Sequence, residues 1–411
     1  MSDAAIIETL LDTDFYKLTM CRFAHDLSRK EGQPTTVRYA LRCRTKDARL
    51  GEIVDPSELR EQLEAVRALR FYGDEIAYLG GLEGAPFDHE FLSWLRTFAL
   101  PEISVEVEDG ELRVETEGPW PLAILWETPA MAVVNELYAR ATARARSLKA
   151  ADLWSEGDRR LDAKIAEIKA SSARIAEFGT RRRFCRDWQE HVVNVLTARV
   201  PNGIVGTSNV ALAKRYGLPP VGTMAHELFM VAAAKAGDDD ATLRASQARV
   251  LDDWRALWGD RLSIALTDTY GTEAFFSDFA GERAAAWKGL RHDSGDAAAF
   301  GERAIAFYLE QGIEPSTKTI VFSDGLDVEA VVRLQRRFAG RVGLSFGWGT
   351  DLTFDVGIAP ISLVMKAVLV DGHPTVKLSD NPEKASGRRE HVERYKRVFA
   401  HADGPRVQCR T

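Results

Sequence analysis

Arginine, aspartate and hydroxyl residues recur in this chain in short runs that could hold an anion. Arg181 and Arg183 stand in EFGTRRR (177–183), and Arg291 stands in GLRHDSGD (289–296). A guanidinium is a planar fork of donors that matches a carboxylate or a phosphate at two points. Gly206-Thr207-Ser208, Gly222-Thr223, Gly271-Thr272 and Gly347-Trp348-Gly349-Thr350 set glycine before a hydroxyl where helices are expected to begin. Backbone N–H groups at such a start are unpaired and favour phosphate. Asp268, Asp293, Asp296 and Asp324 lie in runs of the same kind. They could hold a divalent cation against a polyphosphate, or simply orient the arginines. Carboxylates set between arginines point to a substrate that carries phosphates together with a metal. LLDTDFYKLTM (10–20) is a further place of interest, with Asp14, Tyr16 and Lys17 in an otherwise apolar stretch. Its plain alternative is an amphipathic helix with Leu10, Leu11, Phe15, Leu18 and Thr19 inward.

Several other chemistries are missing. No G-x-x-x-x-G-K-[ST] run exists, which removes a Walker-type ATP loop. Gly347–Leu352 has a single G-x-G and is no dinucleotide fingerprint. His226-Glu227 lacks a second histidine at the spacing of a zinc protease. The triplet Asp238–Asp240 follows Lys235-Ala236-Gly237 with no apolar strand before it, and reads as a solvated helix start.

The elements that must position these residues change character along the chain. Val37–Cys43 alternates as a strand, and Ser57–Tyr78 has helical spacing through Leu59, Leu63, Val66, Leu69 and Phe71. In ISVEVEDGELRVETEG, Val105 and Val107 alternate with acids, Asp109-Gly110 supplies a turn, and Leu112 and Val114 alternate on the return. That pattern predicts a β-hairpin with a type I′ turn. A helical run follows from Ala130 to about Lys149, and the α+β N-terminal domain is expected to end near Thr128. From about Ser155 short apolar runs alternate with helical stretches. Their ends are EFGTRRR, GIVGTSN, PVGTMAHE, ALTDTYGTE, GLRHDSGD, VFSDGLD and LSFGWGTD, seven strand-to-helix junctions. Such alternation predicts a parallel sheet with helical crossovers, and polar residues at strand C-termini share one mouth in barrels of these units. A single junction of this kind is an ordinary turn or cap. Seven of them, rich in Arg, Asp and hydroxyls, are harder to explain that way. A second Asp-Gly hairpin is expected at Asp371-Gly372.

Composition fits a large folded protein. Hydrophobic residues make up 45% and charged residues 28% of 411 residues, enough for an extensive core. Acids outnumber bases, 61 to 54, which argues against a general nucleic-acid partner. Cys21, Cys43, Cys185 and Cys409 are scattered without zinc-like spacing, so reduced thiols and a cytoplasmic setting are expected. No apolar run is long enough for a membrane span, and the first residues do not read as a secretory signal.

Taken together, LLDTDFYKLTM, EFGTRRRF, GTSN with ALAKRYGLPPVGTMAHE, ALTDTYGTEAFF, GLRHDSGD, VFSDGLD, FGWGTDLT and VKLSDNPEK resemble nicotinate phosphoribosyltransferase, over about residues 10–385 and in the family's order. The resemblance implies an α/β fold: an irregular TIM-like (β/α) barrel of about seven units with an α+β N-terminal domain. The expected division is 1–128 for that domain, joined by 375–411, and 129–374 for the barrel. It also implies a reaction, nicotinate plus 5-phosphoribosyl 1-pyrophosphate giving nicotinate mononucleotide and pyrophosphate. ATP is implied as co-substrate and Mg²⁺ as cofactor.

The same resemblance implies roles. Tyr16 and Phe178 match the residues on the two faces of the nicotinate ring, and Arg291 borders the ring and its carboxylate. Arg181, with Arg183 near it, looks like a ligand of the sugar phosphate or diphosphate. Gly325, Gly347, Gly349 and Thr350 match phosphate-binding turns, while Asp293 and Asp324 look like contacts to the ribose hydroxyls. Asp268 is a candidate for organising the metal, and His226 resembles the histidine that the family phosphorylates from ATP. In relatives the Tyr16 segment often reaches a partner's site, which implies a homodimer.

The nearest rival is nicotinamide phosphoribosyltransferase, which carries Asp where this chain has Ser208; a serine hydroxyl there can donate to a nicotinate carboxylate, whereas an Asp suits the amide N–H₂ of nicotinamide. A quinolinate-type enzyme is shorter and wants more basic residues. A non-catalytic metabolite sensor would be expected to lack Arg291, Asp293 or His226, and all three are present. A barrel lyase or isomerase would need a base at the mouth, for which His292 is the one extra candidate.

Overall fold

Asp109 and Gly110 both take left-handed backbone angles, with φ of 52° and 79°, and the chain reverses there as the hairpin pattern requires. Strands β2 (Ile103–Glu108) and β3 (Glu111–Pro119) pair antiparallel across this turn, and β3 pairs antiparallel with β1 (Thr36–Cys43). Val105, Leu112 and Val114 are buried, whereas Val107 is exposed near the turn, where the covered face of the ribbon runs out.

The computed structural model describes residues 5–45, 48–83 and 87–404; residues 1–4, Cys409 and the end of the 375–411 segment lie outside them. One compact unit takes in Met1–Gly222 and Trp348–Lys366, and the other Thr223–Gly347 and Ala367–Arg410, as far as these residues are described. The fold is α/β, with both parallel and antiparallel strands.

The first unit holds β1 to β3 and a parallel pair, β4 (Ile175–Glu177) and β5 (Ile204–Thr207). The helical pattern expected over 57–78 is broken in two, Pro56–Ala68 and Gly73–Gly80. Leu59, Leu63 and Val66 face the core, but Leu69 turns extended, with ψ of 151°, and ends the first piece. The next long helix, Glu127–Ala145, starts three residues before the apolar run suggested, which puts Glu127 in its first turn. Helix Phe15–Glu31 begins after Asp14 and ends at Gly32, whose left-handed φ of 75° closes it. Leu10 and Leu11 therefore precede the helix, although both are buried as expected.

In the second unit β6 (Ile264–Leu266), β7 (Gly289–His292), β8 (Thr319–Phe322) and β9 (Gly343–Trp348) pair parallel in sequence order. Helices Ala297–Glu310 and Val328–Phe338 follow β7 and β8. Phe322 stacks on Phe346 and on Phe338, with centroids 6.0 and 5.9 Å away, which fixes helix Val328–Phe338 against the sheet. Asp296 caps helix Ala297–Glu310, its side chain accepting from the Ala299 N–H at 2.7 Å, so this carboxylate serves the fold. Helix Asp240–Trp258 starts behind Asp239, as the acidic triplet suggested. The second Asp-Gly turn joins β10 (Leu363–Val370) to β11 (His373–Pro374), with φ of 47° and 84° at Asp371 and Gly372.

Six of the seven junctions are led by strands. The exception is PVGTMAHE, where Pro220 makes only an isolated parallel bridge with Thr207. Pro219 and Pro220 lack the N–H donors that a longer ladder needs.

Candidate functional site

Two clusters of polar side chains are assembled, one in each unit. In the first, the 3₁₀ turn Thr180–Arg182 after β4 presents Arg181, and helix Phe15–Glu31 presents Tyr16 and Lys17 at its start. Arg181 is held at two points: Nε lies 3.0 Å from Asp14 Oδ2 and Nη1 donates to Glu127 Oε1 at 2.8 Å. Its guanidinium carbon lies 5.3 Å from the centre of the Tyr16 ring. The Tyr16 hydroxyl donates to the same Glu127 Oε1 at 3.2 Å, and Lys17 Nζ pairs with Oε2 at 2.5 Å. Burial would raise the Glu127 carboxyl, but Lys17 and Arg181 outweigh it and hold it below the ordinary value. Burial dominates at Asp14 and raises its carboxyl despite Arg181 and the Ser208 hydroxyl.

Ser208 stands at the end of β5, its hydroxyl donating to Asp14 Oδ1 at 2.6 Å. Its main chain is tied on both sides, to the Glu177 carbonyl at 2.8 Å and from the Phe15 N–H at 2.7 Å. Gly206 precedes it at φ 154°, and a Cβ there would stand 2.3 Å from the Pro219 carbonyl oxygen, so only glycine fits. The Tyr16, Arg181 and Ser208 positions are thus brought together. Phe178 ends β4 half-buried, its N–H donating to the Trp348 carbonyl at 2.8 Å. Gly349 runs alongside, where a Cβ would meet the Phe178 carbonyl oxygen at 3.1 Å. Thr350 opens the short helix Thr350–Thr353.

Arg183 departs from the anion-clamp expectation. It is only 1% exposed, and Asp12 takes its two terminal nitrogens at 2.6 and 2.8 Å. Asp12 also accepts from Asn209 Nδ2 at 2.7 Å, so Arg183 braces the loop from within rather than standing beside Arg181. Glu177 does similar work: fully buried, it accepts from Thr207 Oγ1 and from Gln189 Nε2 at 3.0 Å.

The second cluster surrounds His226, first residue of helix His226–Ala234. Nδ1 lies 3.0 Å from Thr269 Oγ1; Nε2 lies 2.8 Å from Asp293 Oδ2 and 2.9 Å from Lys377 Nζ. Burial and the Lys377 charge push the imidazole down to about 4, against the pull of Asp268 and Asp293, so it is neutral near pH 7. Asp268, at the end of β6, accepts from Ser294 Oγ at 2.5 Å and from Ser379 Oγ at 3.2 Å. Its Oδ1 is buried without a hydrogen-bond partner. Asp293 accepts from Ser323 Oγ at 3.1 Å, and its carboxyl is held well below the ordinary range, because His226, Arg291 and Lys384 together outweigh burial. Lys384 links Asp293 to Asp324: Nζ donates to the Asp293 carbonyl at 2.6 Å and pairs with the Asp324 carboxylate. Gly325 follows in a left-handed turn, φ 55°, and Gly347 lies on β9. Arg291 Nη1 donates to the Met224 carbonyl at 2.9 Å, while Nε is buried without a partner. His292 points the other way, between Phe300 and Phe322 at 5.0 and 5.8 Å, which removes it as a base at the strand ends.

One ligand atom each from His226, Asp268 and Asp293 lie within 4.8 Å of one another, a set able to grip a metal ion. The carboxylates suit Mg²⁺, whereas an imidazole is a poorer ligand for so hard a cation.

Glu127, Lys377, Lys384 and Thr269 carry no role in the sequence reading. Glu127 stands as a lone acid in the apolar run ILWETPAMAVV, and both lysines lie in VKLSDNPEK, a run to which the resemblance gives no residue roles.

Residues 173–403 match the model of the nicotinate phosphoribosyltransferase (NAPRTase) family, and residues 11–135 match that of the NAPRTase N-terminal domain. The chain is similar to a solved nicotinate phosphoribosyltransferase from Vibrio cholerae, at 34% identity and a TM-score of 0.86, over 97% of this chain and 94% of that one. It is also similar to one from Porphyromonas gingivalis, at 30% identity and a TM-score of 0.86, over 96% of this chain and 100% of that one.

Proposed function

The chain belongs to the nicotinate phosphoribosyltransferase family, and on that premise we propose how its residues divide the work of joining nicotinate to 5-phosphoribosyl 1-pyrophosphate in NAD biosynthesis. In the first unit, Tyr16 and Phe178 take the aromatic ring, and Arg181 offers its exposed edge to the sugar phosphate. Gly349 and Thr350 contribute backbone donors to phosphate, and Arg183 acts through Asp12 and Asn209 by holding the loop. Ser208 bears on the choice of base through Asp14.

In the second unit, Arg291 meets the nicotinate carboxylate with its unpartnered Nε. Asp293 and Asp324 face ribose hydroxyls, and Gly325 and Gly347 line phosphate turns. As pyrophosphate leaves, the sugar carbon gains oxocarbenium character and the pyridine nitrogen attacks it. No protein nucleophile is required; positioning and charge stabilisation suffice. Mg²⁺, when bound by Asp268 and Asp293, supplies positive charge to the leaving diphosphate. The buried, unpartnered Asp268 Oδ1 supports that assignment.

The observation that carries the ATP-coupled reading is His226, a neutral imidazole at a helix start, between two carboxylates and a lysine. A neutral ring nitrogen has a lone pair for a phosphoryl group, and Asp293 can stabilise the charge that follows. The N-terminal match to residues 11–135 supports reading 1–128 as a domain of its own. The finer fold, an irregular seven-unit barrel over 129–374 with 375–411 returned to the first domain, rests on the family resemblance, as does a homodimer. Cys21, Cys43 and Cys185 are free thiols, which suits a reducing cytoplasm. Among the described residues no helix is long and apolar enough to cross a membrane.

The test is a product assay with nicotinate and nicotinamide, each with and without ATP and Mg²⁺. Mononucleotide from nicotinate, stimulated by ATP, is expected. Preference for nicotinamide would favour the rival enzyme, and no product from either base would favour a sensor.

A further inference from the structure

Glu127 is buried, yet it is asked to do more than neutralise a buried lysine. Its two oxygens are divided between two tasks. Oε2 pairs with Lys17 Nζ at 2.5 Å, and Lys17 is fully buried. Oε1 faces the other way and accepts both from Tyr16 OH at 3.2 Å and from Arg181 Nη1 at 2.8 Å. A residue kept only to balance Lys17 would need the first contact and not the second.

The geometry of Arg181 sharpens the point. Its side chain is 35% exposed, so the guanidinium edge reaches solvent. Asp14 fixes Nε at 3.0 Å and Glu127 fixes Nη1 at 2.8 Å, which leaves Nη2 without a hydrogen bond among the described residues. Two anchors on one rigid plane set its direction, and the Tyr16 ring below it, at 5.3 Å, is set by the same oxygen. The ring that stacks and the cation that clamps are therefore registered to one carboxylate atom.

We propose that Glu127 is a positioning residue that registers Tyr16 and Arg181 for nicotinate and sugar phosphate at once, through Oε1, independently of its ion pair with Lys17. The inference rests on the assignment of Tyr16 and Arg181 to substrate made above. Its distinctive consequence is coupled: losing one carboxylate raises KM for both substrates, although each is bound through a different side chain.

Glu127→Leu removes both oxygens while keeping a similar volume, and Lys17→Met/Glu127→Leu removes the buried pair together. If Glu127 positions, both variants raise KM for nicotinate and for 5-phosphoribosyl 1-pyrophosphate by about tenfold or more, with kcat within about threefold. The double variant regains thermal stability lost by the single one without regaining KM. Lys17→Met alone keeps Oε1 in place and leaves both KM values within about threefold of the parent. Recovery of parental KM in the double variant would show that Glu127 merely balances Lys17, and the proposal would be wrong. Should Glu127→Leu alone fail to fold, the double variant still gives the deciding KM. Tyr16→Ala serves as the reference: it should raise KM for nicotinate alone. An effect of Tyr16→Ala with none of the Glu127 substitutions overturns this inference only. No effect of Tyr16→Ala overturns the assignment of the cluster to nicotinate and this inference with it.

Discussion

Ser208 gives its hydroxyl proton to Asp14 across 2.6 Å. A serine hydroxyl has one proton to donate, so the direct donation to a nicotinate carboxylate that the sequence suggested is already taken. Preference for the acid over the amide then works through Asp14, whose carboxylate is shared by Ser208 and Arg181.

Substituting Ser208→Asp would set a second carboxylate against Asp14 in a buried place. At an effective dielectric of ~20, two charges ~4 Å apart repel by roughly 4 kcal/mol before relaxation. One of the two would stay protonated or turn away, and Arg181 would be drawn off its present line. We expect kcat/KM for nicotinate to fall by about 100-fold or more, with weak use of nicotinamide gained. Ser208→Ala separates the two accounts. It should lower the thermal midpoint, because Asp14 loses a donor, and change the ratio of kcat/KM for the two bases little. A collapse of that ratio in Ser208→Ala would restore direct contact between Ser208 and the base.

His226→Ala should keep basal transfer and lose all ATP stimulation, together with ³²P incorporation from labelled ATP. With its pKa near 4, the imidazole is already neutral throughout pH 5–8, so acceptance of the phosphoryl group should not titrate near 6.5. Incorporation that falls by half near pH 6.5 would mean that the ring is more exposed than its neighbours imply. Equal ATP stimulation in the alanine variant and the parent would remove His226 from the coupling.

Arg291→Lys tests the unpartnered Nε. Lysine keeps the charge but lacks the planar fork whose Nη1 now donates to the Met224 carbonyl at 2.9 Å, so it has no second donor in the same plane. KM for nicotinate should rise by about tenfold or more, with a thermal midpoint close to the parent's. An unchanged KM would place the nicotinate carboxylate elsewhere.

What the sequence disclosed and what it hid follow from the range of the forces involved. Both Asp-Gly hairpins and the six strand-led junctions are readable because local backbone chemistry and apolar rhythm decide them. PVGTMAHE looked like the other runs, and the two prolines that spoil its ladder carry no signal in an apolar pattern. The split between Arg181 and Arg183 was hidden for a different reason. In a turn of three consecutive arginines, only the partner decides which guanidinium goes inward, and Asp12 lies 171 residues away. Glu127 carries no local signal of its role, because Arg181 and Tyr16 meet it from segments 54 and 111 residues distant. The motifs hold the residues proposed to face a ligand. The carboxylates that aim them lie outside those motifs or far along the chain, where only the fold brings them close.

The last expectation concerns acid stability of the metal-free enzyme, where two groups near Asp268 oppose each other. His226 titrates near 4 in the fold against an ordinary 6.5, chiefly through burial and then Lys377. Between those values the unfolded chain binds the extra proton, so this group makes stability fall as pH falls through that window. Asp380 runs the other way. Burial, and then the charge of Asp268, raise its carboxyl to about 6 from an ordinary 3.8, while its oxygens accept from the Thr272 N–H at 2.8 Å and from the Thr272 hydroxyl. The folded protein binds the proton first, so this contribution is full below pH 3.8 and is lost as pH rises through about 6. Over pH 4–6 the two slopes therefore offset each other in the parent. Asp380→Asn keeps an oxygen for Thr272 and removes the titration. With a chelator present, its thermal midpoint should drop more steeply from pH 6 to pH 4 than the parent's, and His226→Gln should flatten or reverse the slope. Parallel curves for Asp380→Asn and the parent would show that Asp380 is already ionised at pH 4, and that the Asp268 charge does not reach it.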